Sequence, residues 1–290
     1  MKKLIKDLKK GNIRLDGKTV AISGATGGIG RELCFAFARM GASMLLLDRN
    51  AEKSQGLGKE LRERFEGISV RHITVDLEDI ERVKVVAELL ICEEIDYLVL
   101  NAGAYSIPRR ICSSGYDNVF QINFVSPYYL ACRLADRIAS RGGRIVAVGS
   151  IAHNYSKTDP QDVDFSTHER ASRVYGNAKR YLMFALGAKY GSDGVVAVTH
   201  PGITQTNITA HYPKLIYAII KYPMRLIFMR PKKACLSIVC GLFVPTDDCE
   251  WIGPRFFDVW GMPKKRKLDT CDPDERNYIA ACAEDIVENV

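Results

Sequence analysis

An α/β fold, a doubly wound parallel sheet flanked by helices on both faces in a single domain, is what the sequence predicts, on three observations. Short apolar, β-rich runs recur along the chain, helical patterns alternate with them, and small or glycine-rich residues follow several of the runs. The runs are Thr19 to Ile22, Ser43 to Leu47, Ser69 to Val75, Tyr97 to Leu100, Arg144 to Val148 and Val195 to Thr199. Each is read as a strand buried on both faces, because it lacks the polar alternation of a half-solvated strand. Between them Ile29 to Met40, ended by Gly41, then Glu52 to Phe65, Asp79 to Ile91 and Tyr116 to Ile138 carry helical spacing. Strand-helix alternation calls for parallel strands joined by crossover helices. Pro231 opens a further helix, Lys232 to Leu242, and Arg255 to Val259 reads as a last strand.

With 290 residues, 47% of them hydrophobic, the chain can bury one full core. The expected organisation is a basic extension over 1–14, one domain over 15–260, and a tail over 261–290 that carries no chemical signal. Nine cysteines show no C-x-x-C pairing and no histidine partners at zinc-ligand spacing, and no apolar leader precedes them. The reading is a reduced, cytoplasmic protein without a metal site. The net charge of +7 is uneven: Lys2, Lys3, Lys6, Lys9 and Lys10 form one cluster, and Lys264, Lys265, Arg266 and Lys267 another. Both lie outside the periodic core, so no nucleic-acid partner is expected, and the second resembles an import signal only superficially. Leu4 to Leu8 among lysines leaves a membrane-surface contact open, against the plainer reading of a solvated terminus.

In open parallel sheets ligands bind beyond the carboxyl ends of the strands. After the first run stands Ser23-Gly24-Ala25-Thr26-Gly27-Gly28-Ile29-Gly30, a glycine-rich turn opening into a helix. Such a turn admits a pyrophosphate to the backbone, and the helix N-terminus supplies free N–H groups, so Gly24, Thr26, Gly27, Gly28, Ile29 and Gly30 are cofactor candidates in a Rossmann-like sheet. Asp48, about twenty residues on, can accept from the ribose hydroxyls of NAD. Arg49 could instead pair with the 2′-phosphate of NADP. NAD is favoured, with a simple helix-capping role for Asp48 still open. Asp76, with Leu77 beside it, could receive adenine or cap a helix, and Asn101-Ala102-Gly103 allows close approach of backbone to cofactor.

After the fifth run come Gly149-Ser150, and the next helical pattern holds Tyr175-Gly176-Asn177-Ala178-Lys179. Helical spacing of four puts the phenol and the ammonium on one face. Tyr217 and Lys221 repeat that spacing, but only the first pair follows a core strand ending in serine.

These motifs, in this order, with Asn123 and Pro201-Gly202-Ile203-Thr204-Gln205-Thr206, resemble the short-chain dehydrogenase/reductase family over roughly Leu15 to Val259. The resemblance implies a catalytic set of Tyr175 as general acid/base, Lys179 holding the ribose and lowering the tyrosine pKa, Ser150 on the substrate oxygen, and Asn123 holding a relay water. It also implies cofactor contacts from Pro201, Gly202, Ile203 and Thr206, and a dimer or tetramer through Tyr116 to Ile138 and Val174 to Tyr190. The chemistry is consistent: a phenol titrates near 10 and needs a positive neighbour to act near neutrality. Ser150 can donate to an oxygen on which charge develops, while the cofactor carries out the carbon chemistry.

Departures from the family pattern are Ser23 where threonine is commoner, Gly149 before Ser150, and a longer interval from Ser150 to Tyr175. The insertion, with His153, Asp162, Asp164 and His168, looks similar to the retinol-dehydrogenase-like branch. His153 is read as a surface-loop histidine, with a place at the substrate mouth as the alternative. From Ile208 to Met229 the chain is strongly apolar, with Leu215, Ile216, Ile219 and Ile220 at helical spacing. The family implies a substrate lid at about 207–233, hence a lipophilic or bulky alcohol or ketone. Lys214, Lys221, Arg225 and Arg230 argue against a membrane span there, leaving a peripheral membrane contact as the second choice. The reading is an NAD(P)-dependent oxidoreductase acting on CH–OH; the alternative from another class is a non-catalytic nicotinamide-sensing protein with a basic contact surface.

Overall fold

A computed structural model of the chain describes residues 1–204 and 229–290. Thr206 and the apolar segment up to 228, with Tyr217 and Lys221, lie outside the described residues. Eight strands among those described form one sheet: β1 (Thr19–Ser23), β2 (Ser43–Asp48), β3 (Val70–Thr74), β4 (Tyr97–Leu100), β5 (Arg144–Val148), β6 (Val196–Thr199), β7 (Glu250–Phe256) and β8 (Trp260–Lys267). Their order is β3-β2-β1-β4-β5-β6-β7-β8, parallel except for the β7–β8 pair. The chain moves outward from β1 in one direction and then restarts at β4 on its other side. That reversal leaves a crevice above the carboxyl ends of β1 and β4.

Helices cover both faces. The larger core cluster joins Val83, Val86 and Leu90 of α4 (Ile80–Ile91), Leu130 and Leu134 of α6 (Ser126–Ser140), and Leu182 and Leu186 of α7 (Ala171–Tyr190) to inward residues such as Leu98 and Ile145. On the other face lie Leu33 and Phe37 of α2 (Gly28–Arg39), Leu57 and Leu61 of α3 (Ala51–Arg64), and Ile238 and Val239 of α8 (Pro231–Gly241), against Val20, Ile22 and Val146. Helix starts follow local chemistry. Asn50 accepts from Lys53 N at 2.8 Å and Asp79 from Arg82 N at 3.0 Å, each satisfying an amide left unpaired at a helix N-terminus.

Several expectations are corrected. β3 is an edge strand paired only with β2, and Arg71 and Thr74, which point to opposite faces, are both exposed, so the run is not buried on both faces. The run Arg255 to Val259 straddles a turn: Phe257 and Asp258 have φ of 51° and 55°, which ends β7 and returns the chain as β8. The long helix expected from Tyr116 begins instead as α5 (Asn118–Phe120) and passes through a π-helical turn, Gln121–Val125, before α6. Residues 261–290 are not an appendage. They complete β8 and form α9 (Pro273–Asn289), whose Ile279, Ala283 and Ile286 enter the larger core cluster. The basic N-terminus forms α1 (Lys2–Lys10), which buries Ile5 against Cys240 and Ile252.

Candidate active site

The glycine turn is held by the β4 end. Ser23 Oγ accepts from Asn101 N at 3.1 Å and Ala102 N at 3.0 Å, while Asn101 Nδ2 donates to Ser23 O and Gly24 O, both at 3.0 Å. The hydroxyl makes these bonds from a serine as it would from a threonine. Gly24 has φ of 68°, and a Cβ there would come within 2.9 Å of Ala102 Cα. A Cβ on Gly30 would collide with Gly24 O, so the first turn of α2 is closed down on the loop as only glycine permits.

A cavity of about 410 Å³ opens over this turn. Its wall includes the predicted Gly24, Thr26, Gly27, Gly28, Ile29, Gly30, Asp48, Arg49, Asp76, Leu77, Asn101, Ala102 and Gly103. Leu47, Val75, Ala104, Tyr105, Ile107 and Ile122 complete it. The sequence reading missed these, although Leu47 and Val75 stand directly beside the acidic residues that ended their strands. The glycine cradle, the α2 N-terminus and the apolar slot fit a dinucleotide.

Asp48 is 6% exposed. Its Oδ1 accepts from Thr26 N at 3.2 Å and Thr26 Oγ1 at 3.0 Å, and its Oδ2 from Ser54 Oγ at 3.4 Å. Burial raises its pKa, and the Thr26 and Ser54 bonds oppose that rise. Asp48 therefore braces the glycine turn. Arg49, next to it, is exposed and makes no hydrogen bond or ion pair among the described residues. Asp76 Oδ1 accepts from Glu78 N at 3.1 Å, a local turn bond that leaves its other oxygen open to the cavity.

Beyond Gly103 lies the second half of the site. A Cβ on Gly103 would stand 2.7 Å from Asn123 Oδ1 and 3.6 Å from Lys179 Nζ, so these three residues meet. Asn123 sits in the π-helical turn, an irregularity often found at functional positions. Its amide hydrogens go to Ala104 O and Val119 O, both at 2.8 Å, and its Oδ1 accepts from Ala104 N at 3.3 Å. A relay water would therefore have to bind an oxygen of Asn123.

Lys179 is 2% exposed and donates to Val148 O at 3.0 Å; burial brings its pKa down to about 8. The Tyr175 ring is edge-on to Tyr105 at 5.4 Å, with Lys179 Nζ 5.7 Å from its centroid. Burial pushes the phenol up to about 12 against an opposing hydrogen bond from Ser150. Desolvation is the largest influence on the phenol here. Gly149 has its own reason: a Cβ there would lie 2.6 Å from Met183 Sδ on α7, the helix that carries Tyr175.

The Ser150 loop is anchored from below. Ser150 Oγ accepts from Ala152 N at 3.1 Å, opening a 3₁₀ turn over Ile151–Tyr155. His153 is buried, not on a surface loop and not at a mouth. Its Nδ1 is 2.6 Å from Ser150 O and its Nε2 2.9 Å from Thr270 Oγ1, a pairing that suits a neutral ring with the proton on Nδ1. The insertion is pinned as well. Arg109 reaches Asp117, His168 O and Phe165 O, and Asp164 Oδ2 accepts from Asp117 N. His168 pairs with Asp162 at 3.0 Å. Pro201 and Gly202 follow β6; Gly202 has φ of 83°, and Ile203 N donates to Val259 O at 3.2 Å. Among the described residues no His, Cys, Asp and Glu cluster could hold a metal ion, and no helix is long and apolar enough to cross a membrane.

Comparison with known proteins agrees with this geometry. The family model for short chain dehydrogenases matches residues 18–163. The chain belongs to the short chain dehydrogenase family. It is 30% identical over 282 residues to retinol dehydrogenase 12 of Mus musculus, across 93% of this chain and 87% of that one. With human retinol dehydrogenase 13 it shares 28% identity over 207 residues, 68% of this chain and 62% of the relative. Among solved structures, a short-chain dehydrogenase from Sphingobium yanoikuyae in complex with NADPH superposes with a TM-score of 0.59 at 23% identity, over 77% of this chain and 84% of the other. As a short chain dehydrogenase the protein is an NAD(P)-dependent oxidoreductase with a Rossmann fold and retinol-dehydrogenase-like relatives.

Proposed function

We propose that this short chain dehydrogenase interconverts an alcohol and a carbonyl group on a lipophilic, bulky substrate, with Tyr175 as the proton donor and acceptor. The observation that carries the reading is that Asn123 and Lys179 meet at Gly103 on the wall of the dinucleotide cavity, while Tyr175 lies beside Lys179 on α7 and shares a hydrogen bond with Ser150. When bound, the nicotinamide supplies or takes the hydride. Ser150 then holds the reacting oxygen by a hydrogen bond, and the Tyr175 hydroxyl delivers its proton to that oxygen or removes it in the reverse direction. Lys179 is fixed by Val148 O within reach of the same region, where its ammonium favours the tyrosinate over the phenol. Asn123 keeps the Ala104 backbone in place beside them.

A lipophilic substrate is supported by the apolar group next to the phenol, where Ile107, Val119, Phe165 and Val174 pack around Tyr175. Relatives named for retinol point the same way. For the cofactor, Asp48 points to NAD by its position, but that carboxylate is engaged by Thr26 and Ser54, while Arg49 stands on the cavity wall with no hydrogen bond or ion pair among the described residues. This arrangement supports a 2′-phosphate, and hence NADP, on Arg49. The decisive experiment replaces Tyr175 by Phe and follows cofactor oxidation with a panel of lipophilic ketones. Turnover is expected to vanish while cofactor affinity stays within about threefold; a variant that still turns over would refute the assignment.

A further inference from the structure

The fold brings together two basic clusters that lie at opposite ends of the sequence. Helix α1 docks through Leu4, Ile5 and Leu8 onto Ile252 of β7 and Met262 of β8. Its five lysines all remain exposed, as do Lys264, Lys265 and Lys267 on β8, the edge strand of the sheet. Glu250 is paired with Lys265 and Asp258 with Arg266, while Asp7 of α1 accepts from Asn12 Nδ2 at 3.3 Å. Among the described residues this margin keeps the five α1 lysines with Lys264 and Lys267 as exposed cations outside any ion pair.

At the tip of the β7–β8 hairpin on that margin three aromatic rings face solvent: Phe256 at 44%, Phe257 at 82% and Trp260 at 49% exposure. Phe256 and Trp260 pair at 5.1 Å, with the Arg255 guanidinium 5.6 Å from the Phe256 ring. Phe257 is held with φ of 51°, a region that bulky residues rarely adopt and that glycine or asparagine would occupy without strain. The same tip packs on the segment that follows β6, because Val259 O accepts from Ile203 N and Asp258 O lies 2.8 Å from His200 Nε2.

From these observations we propose that the α1–β8 margin and the Phe256–Trp260 tip form a docking surface for an anionic lipid membrane. It goes beyond the catalytic reading and would stand without it. Charge selects the occupant: a second copy laid against this margin would set lysine against lysine, whereas acidic headgroups complement it. Lysines on an edge strand also serve to prevent edge-to-edge pairing. That role explains β8 but neither the lysines of α1 nor an exposed phenylalanine in a strained turn. Aromatic rings flanked by cations suit the headgroup boundary, where the ring enters the acyl region and the charge stays at the phosphates. Docked this way, the tip would bring the site close to a lipophilic substrate dissolved in the bilayer.

The test is sedimentation of the full chain with vesicles of phosphatidylcholine plus phosphatidylserine, and with phosphatidylcholine alone, alongside gel filtration. The wild type is expected to bind the acidic vesicles, lose that binding in high salt, and elute unchanged in size from Phe257→Ser. Phe257→Ser/Trp260→Ser and, separately, Lys3→Glu/Lys6→Glu should each weaken partitioning at least about tenfold. The proposal is overturned if the wild type does not sediment, if it binds neutral vesicles equally, or if both variants bind like wild type. It is equally overturned if the wild type is a dimer that Phe257→Ser splits, because a second copy would then be the occupant.

Discussion

Arg180 and Glu275 form a buried two-pronged ion pair, Nε to Oε1 at 2.7 Å and Nη2 to Oε2 at 2.5 Å, that joins the helix of Tyr175 and Lys179 to the C-terminal helix. Arg180 also donates to His153 O at 3.2 Å and Thr270 O at 2.6 Å, and Glu275 accepts from Thr158 N at 2.9 Å. The Ser150 loop, α7 and α9 therefore share one polar knot. Breaking a buried pair by removing one partner costs about 3–5 kcal/mol, because the other charge is left without compensation. Arg180→Met and Glu275→Gln are each expected to lower unfolding stability by that order in urea. The double variant Arg180→Met/Glu275→Met should recover part of it. Single variants with an unchanged midpoint would show that the knot does not hold the fold.

Acid should loosen the protein well above the carboxylate range. Burial lowers the pKa of His153 and of His200 to about 4. In the unfolded chain each imidazole takes a proton near 6.5, and in the folded chain only near 4. Between those values the unfolded state binds more protons, so stability declines as pH falls from about 6.5 to 4. Glu275, held down to about 2 by Arg180 and Thr158 against the opposing effect of burial, adds a second loss as pH falls below about 4.5. Melting curves from pH 8 to 4 should show the first decline, and His153→Asn should flatten it. A melting temperature constant from pH 7 to 5 would contradict the buried, neutral imidazoles.

Two glycines on helices make opposite predictions. At Gly30 a Cβ would meet Gly24 O, Ala25 Cα and Asn101 Nδ2 together, so Gly30→Ala must open the turn. Cofactor affinity is expected to fall at least about tenfold, equivalent to roughly 1.4 kcal/mol. Gly56, inside α3, has nothing within 4 Å of a Cβ, so Gly56→Ala should stabilise the protein by about 0.5–1 kcal/mol and leave cofactor binding alone. Fluorescence titration and thermal melting of the two variants decide this; equal behaviour would mean the turn is not closed as described.

What could be read from the sequence is the part whose signal is local. Thr19 to Ile22 and its five successors are short β-rich runs, apolar in all but Ser69 to Val75, and all six appear as strands. The glycine turn announces itself because Gly24 takes a positive φ and Gly30 closes onto Gly24 O and Ala25, requirements set within a few residues of each other. Arg180 and Glu275 are ninety-five residues apart, and nothing in either neighbourhood marks them as partners. The same holds for His153 and Thr270. The π-helical turn at Asn123 has normal helical spacing on both sides, so periodicity passes over it. Strand β8 escaped notice because Lys264 to Lys267 read as a charge run, and a strand paired along only one side can carry exposed lysines.

The proposed preference for NADP rests on two adjacent residues with different surroundings. Asp48 is enclosed and accepts from Thr26 and Ser54, whereas Arg49 is exposed at the cavity wall. A guanidinium there pairs with a 2′-phosphate and has nothing comparable to bind on a free ribose. Arg49→Ala is therefore expected to weaken NADPH at least about tenfold while NADH changes by less than about twofold. Asp48→Asn keeps an acceptor for Thr26, so it should affect both cofactors modestly and alike. If instead Asp48→Asn selectively weakened NADH and Arg49→Ala left NADPH untouched, Asp48 would be the ribose acceptor and the brace to Thr26 would yield when the cofactor binds.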